Sequence, residues 1–115
     1  MYRGFRLKSD SLLIEDIRDE VYFILENVPD LTLDVLIEDK LYRNAFLRSI
    51  EVIGEAAKRL SDEFRERNPD FPVQEMARTR DKMIHGYDEI NYSLLWEILT
   101  QDIPKTASLL LNLRL

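Results

Sequence analysis

Residues 41–67 read LYRNAFLRSIEVIGEAAKRLSDEFRER, the longest periodic stretch of the chain. Ala45, Ser49, Val52, Ala56, Leu60 and Phe64 recur at steps of three and four, and Ile53 and Ala57 widen the stripe. That recurrence follows the turn of an α-helix and not the alternation of a strand. The spacing predicts a long helix from about Leu41 to Arg67, the spine of a helical bundle. Gly54, Ala56 and Ala57 are small and allow another helix to come close. Glu55 lies among them with two readings open: it faces solvent on the far side, or it lines a polar pocket near the motif described below.

On the N-terminal side, Leu13, Ile17, Val21, Ile24 and Val28 repeat at helical steps. Ser9 or Asp10 offers the cap that starts this helix, and Pro29-Asp30 ends it. Residues 1–8 show no period and are expected to fray or dock late. Thr32 can cap a short helix that holds Leu33, Leu36 and Ile37. On the C-terminal side, Asn68-Pro69-Asp70 stops the long helix, and Pro72 suits the first position of the next, about Val73 to Ile84. Met76, Met83 and Ile84 anchor it. Asp88-Glu89-Ile90 then forms a turn, and Asn91 caps a last helical region in which Leu94, Leu95, Ile98 and Leu99 pack inward beside Trp96. Pro104 breaks or kinks that region, because proline cannot donate to the helical ladder. The run Leu109-Leu110-Leu111-Asn112-Leu113 is strongly apolar and needs cover from the bundle or from a second subunit. No strand pattern, repeat or linker is visible. The reading is one all-α domain over residues 1–115, built from five or so helices.

Composition narrows the function. The chain has 115 residues, 45% of them hydrophobic and 33% charged, which argues against a disordered chain. It has no cysteine and one histidine, which speaks against a disulfide frame and a dedicated zinc site. No apolar run reaches membrane-spanning length, and residues 1–14 lack the core of a signal peptide, so a cytoplasmic protein is expected. The net charge of −6 argues against nucleic acid as a ligand at first sight. The charge is segregated, however. Residues 15–39 carry nine acids and one arginine, whereas residues 76–85 carry Arg78, Arg80 and Lys82 against Asp81 alone. The acidic segment reads as a solvated helix face or as a surface that meets a basic partner.

That small basic spot is Arg80-Asp81-Lys82-Met83-Ile84-His85-Gly86-Tyr87, with the only histidine of the chain. Gly86 suits the left-handed turn past a helix end, which puts His85 in or next to the last helical turn. There the negative end of the macrodipole favours imidazolium. Arginine to hold phosphate, imidazole to move protons and a nearby phenol suit phosphoryl chemistry. A histidine in this place is also a common helix cap, which satisfies the last carbonyls and does nothing more. Positions five apart on an ideal helix point about 140° away from each other. Arg80 and His85 converge only if the helix stops between them and the long arginine reaches, or if a second copy supplies one of them.

These residues resemble a known family. Arg80, His85, Gly86 and Tyr87 match the R-x4-H-x-Y signature of HEPN-domain proteins of the HepT type, toxins of prokaryotic toxin–antitoxin pairs. Ile53-Gly54-Glu55-Ala56-Ala57-Lys58-Arg59-Leu60 is similar to that family's central helix. Asn68-Pro69-Asp70-Phe71-Pro72 and Leu95-Trp96-Glu97-Ile98 are similar to its flanking segments, so the resemblance spans roughly residues 10–110. Arg78-Thr79-Arg80-Asp81 departs from it, since many members have methionine before the arginine and asparagine after it. The resemblance implies an up-and-down HEPN-like bundle, dimeric, with two motifs lining one cleft. It implies a metal-independent endoribonuclease without cofactor, the toxin of a type VII system. His85 would be the general acid/base, Arg80 the phosphate-holding residue and Asp81 a supporting residue that orients a partner. RNA is then the substrate, because DNA lacks the 2′-hydroxyl nucleophile. The resemblance also implies a minimal nucleotidyltransferase antitoxin that attaches AMP to the motif tyrosine, here Tyr87. The small face around Gly54 and the apolar C-terminal run are candidate dimer surfaces. A second class of function stays open: a non-catalytic helical module that binds nucleotide and works with a nucleotidyltransferase, a reading the acidic pI favours.

Overall fold

The computed structural model describes residues 8–85 and 89–115, without the side chains of Arg80, Ile84 and His85. The expectations for the first seven residues, for the Gly86 turn and for Tyr87 lie outside the described residues. The rest is the all-helical bundle that the periodicity predicts. Its helices are α1 (Asp10–Asn27), α2 (Leu33–Glu38), α3 (Lys40–Lys58), α4 (Asp62–Arg67), α5 (Val73–Met83), α6 (Tyr92–Glu97) and α7 (Ile103–Leu110). A single 3-10 turn, Val28–Asp30, ends α1 at Pro29.

Helix α3 is the spine, packed against α1 on one side and α5 on the other, with α2 at its start. Helix α7 covers α1, and α6 covers α2. Being covered on two sides, α3 buries a wider arc than the predicted stripe: Phe46, Ser49, Ile50, Ile53, Ala56 and Ala57 are all inside. Phe46 and Phe64 are completely buried. Withdrawing such a side chain from water contributes about 1.5–3 kcal/mol. Val52, expected in the stripe, is only half-buried. Ser49 is reconciled with the core by donating its hydroxyl to Glu20 Oε1 of α1 at 2.7 Å.

The predicted long helix is two. It stops at Lys58, and Ser61 starts α4 by accepting from the Phe64 N–H at 3.0 Å. Asp10, at the start of α1, holds this corner. Its carboxylate accepts from the Ser61 N–H at 2.9 Å and from the Ser61 hydroxyl at 2.6 Å. Pro104 does not break the last helix either. The chain widens to a π-helical turn over Ile98–Asp102 and continues as α7. Here the Ile103 N–H reaches back five residues to the Ile98 carbonyl. The wider turn makes room beside the proline ring, which would otherwise press on the carbonyl four residues earlier.

Strands are present against expectation, though only two residues long. Ile84–His85 (β1) pairs antiparallel with Glu89–Ile90 (β2), so Glu89-Ile90 is a strand and not part of a turn. The apolar C-terminal run is covered in part: Leu110 is buried, whereas Leu111 is 77% exposed.

Candidate active site

Helix α5 carries the motif. Pro72 gives its carbonyl to the Met76 N–H at 3.0 Å as the helix opens. Met76 and Met83, seven residues apart, are buried in the core. Arg80 stands on the helix between them, one turn after Met76 and one before Met83. Asp81 and Lys82, on the same turn, are exposed, as is Arg78 one turn earlier. The Thr79 hydroxyl donates to the Glu75 carbonyl at 2.7 Å, a back-bond that keeps this polar residue inside the helix.

The helix ends at Met83, not at Ile84, and the ending differs from the one the sequence suggested. The Met83 carbonyl has no helical partner, and the Asn91 N–H takes it at 3.0 Å. The backbone of Ile84 and His85 turns out of the helix and runs as β1, with Ile84 opposite Ile90 and His85 opposite Glu89. His85 therefore lies next to the last helical turn and not in it, the second of the two places the sequence allowed. Its backbone belongs to a two-residue strand and not to the helix. The angular objection to pairing Arg80 with His85 also falls away, because only Arg80 obeys helical geometry. The helix does stop between them, which meets the first of the two conditions for convergence that the sequence left open.

The register adds a residue that sequence reasoning passed over. Glu89 faces His85 across the ladder, so a carboxylate-bearing residue is the histidine's cross-strand neighbour. The available signal was weak: a three-residue stretch with glycine between Ile84-His85 and Glu89-Ile90 fits a short hairpin, but two-residue strands show no alternation. Glu55, by contrast, is exposed. It lines a groove of about 200 Å³ between α1 and α3 with Lys8, Asp16, Arg48 and Arg59. That groove includes no residue of α5, so Glu55 takes the solvent-facing reading.

One cleft, between α3, α5 and the segment that leads into α7, is narrow. Ile50, Ile53, Met76, Thr79, Ile98, Asp102, Ile103 and Thr106 enclose about 40 Å³, space for a water or two and not for a nucleotide.

Comparison with known proteins agrees with this architecture. Residues 14–113 match the family described as ribonuclease HepT-like. A candidate RNase of Caldanaerobacter subterraneus is 38% identical over 99 residues, which cover 86% of this chain and 88% of that protein. A candidate RNase of Methanocaldococcus jannaschii is 42% identical, covering 78% of this chain and 80% of its own. The protein named probable ribonuclease HepT in Thermococcus cleftensis is 36% identical over 79% of this chain and 83% of its own. No solved structure matches the chain. An all-helical bundle with the arginine–histidine motif leaving α5, matched along nearly its whole length, places the chain in the HepT-like ribonuclease family.

Proposed function

We propose that this ribonuclease is a metal-independent endoribonuclease and the toxin of a type VII toxin–antitoxin pair, with Arg80 and His85 as its catalytic residues. His85 takes the proton from a ribose 2′-hydroxyl, and the freed oxygen attacks the adjacent phosphorus. The bond from phosphorus to the 5′-oxygen breaks, leaving a 2′,3′-cyclic phosphate. The abstracted proton returns, directly or through solvent, to the departing 5′-oxygen. Arg80 holds the phosphate and neutralises charge that grows on it in the transition state. Asp81 orients one of these partners.

The observation that carries this reading is the break of α5 between the two residues, which lets a helical arginine and a strand histidine serve one phosphate. Family membership over residues 14–113 and the basic spot on an otherwise acidic chain support it. In the same reading the chain, a single domain over residues 1–115, works in the cytoplasm as a homodimer. A partner nucleotidyltransferase silences it by attaching AMP to Tyr87, since bulk and negative charge beside the motif repel RNA. Among the described residues no helix is long and apolar enough to cross a membrane.

The test is cleavage of a labelled RNA by purified protein in excess EDTA. His85→Ala and Arg80→Ala should each lose about 10²–10⁴-fold in rate with an unchanged circular dichroism spectrum. Wild-type cleavage that persists in the folded His85→Ala variant would remove the assignment. RNA or nucleotide binding with no cleavage would favour the binding module instead.

A further inference from the structure

Beyond the motif, the first residue of α6 is Tyr92, directly after the Asn91 that ties this helix to the end of α5. Hairpin and tyrosine are thus fixed to the same clamp. Over the Tyr92 ring stands Arg43 of α3, its guanidinium carbon 5.9 Å from the ring centre. The Arg43 Nη1 also donates to the Ile37 carbonyl in the last turn of α2. The guanidinium is therefore held at two points, by a ring on one side and by a carbonyl at its edge. Both side chains are half-buried, so each keeps a face to solvent.

The natural ion partner of Arg43 is Asp39, one turn earlier on the same side of the helix start. Asp39 is occupied: its carboxylate accepts from the Leu41 and Tyr42 N–H groups at 2.9 and 3.3 Å and so caps α3. Among the described residues no carboxylate pairs with Arg43. Arg43 thus keeps its charge over the ring of Tyr92, two residues beyond the hairpin that bears the only histidine of the chain.

We infer that Arg43 and Tyr92 form a stacking platform for an unpaired nucleobase of the RNA, adjacent to the scissile bond. Guanidinium and phenol planes both accept a base on their open faces, and the cation adds attraction for the neighbouring phosphate. Every base has such a face, so the platform is tolerant of sequence. It requires a base that is free of its own stack, which makes the enzyme selective for single-stranded RNA. The inference rests on the ribonuclease reading and names the substrate class of that site. A purely structural role for Arg43, as a cap on the last carbonyls of α2, would be served as well by lysine, which donates but offers no plane.

The experiment uses the full-length protein, an unstructured labelled RNA, and the same RNA annealed to its complement. The annealed strand should be cut more slowly. Tyr92→Leu and Arg43→Gln should each raise KM for the single strand about tenfold, with a smaller change in kcat. Tyr92→Phe keeps the ring and should stay near wild type, whereas Arg43→Lys should resemble Arg43→Gln. Unchanged KM in folded Tyr92→Leu, or full rescue by Arg43→Lys, would overturn the platform. Should Tyr92→Leu fail to fold, binding reads the same point. RNA carrying 2-aminopurine near the cleavage site should lose fluorescence on the catalytically dead His85→Ala protein, and Arg43→Gln should restore it. Absence of quenching at every labelled position defeats the inference. A wild-type protein that cuts no RNA defeats the ribonuclease reading separately.

Discussion

Asn68 shows how much one side chain can decide. Only 8% exposed, it donates to the Phe64 carbonyl at 3.1 Å and to the Arg114 carbonyl at 2.8 Å, and it accepts from the Arg114 N–H at 2.7 Å. The amide thereby imitates a strand partner for the C-terminal tail and ties it to the end of α4. The sequence marked Asn68 only as part of a helix stop, because its second role depends on a residue 46 positions away. Replacing it by alanine leaves the Arg114 amide without its partner and the Arg114 carbonyl with only the longer bond from Arg67 Nε at 3.5 Å. Asn68→Ala should cost about 2 kcal/mol of stability in urea unfolding, and the Arg114 amide should lose its protection from hydrogen exchange. Asn68→Asp should be no better, since a carboxylate can accept from the Arg114 N–H but meets the two carbonyls with negative charge. Wild-type exchange at Arg114 in the alanine variant would show that the tail is held by its leucines alone.

Elements were legible where local chemistry decided them and obscure where packing did. Helix α1 matches its stripe and its Ser9 cap because both signals lie within the segment. Helix α3 was drawn too long and slightly turned. Its true face is centred on Phe46, Ile50 and Ile53, since neighbours on two sides bury an arc that a single stripe does not describe. The break before α4 was written in Ser61, but Leu60 and Phe64 continued the spacing across it and hid the cap. Pro104 announced a disturbance without its form, because a π turn depends on what surrounds the helix. The motif's place at the end of α5 was readable, whereas the strand pairing that takes up Ile84 and His85 was not. Ser61 tests the corner between α3 and α4. Ser61→Ala removes the cap and deprives the Asp10 carboxylate of a hydroxyl donor, and the urea midpoint should fall by the equivalent of about 1–2 kcal/mol. Ser61→Thr, which retains the oxygen, should recover most of it. Equal midpoints for Ser61→Ala and wild type would mean that water replaces the serine at no cost.

At the scale of the whole molecule, the distribution of charge bears on how two copies can meet. The acids of residues 15–39 lie on α1, on α2 and in the turn between them, except Asp39, which caps α3, and two such segments would repel each other in a symmetric contact. The nearly neutral remainder, with the basic spot on α5, is the better surface for a two-fold dimer, and it also serves a polyanionic substrate. A dimer with facing motifs can be built in two ways. Each phosphate is held by Arg80 and His85 of one chain, or by Arg80 of one and His85 of the other. Because α5 ends between the two residues, a single chain meets no angular obstacle, and the first arrangement is expected. Mixing inactive Arg80→Ala protein with inactive His85→Ala protein, unfolding and refolding the mixture, distinguishes them. Shared sites would regenerate one intact site in each mixed dimer and about a quarter of wild-type activity. Sites contained within one chain would regenerate none, and light scattering on the refolded mixture would still report a dimer. Recovered cleavage would therefore return the second copy to the catalytic site and leave the break in α5 as a feature of folding alone.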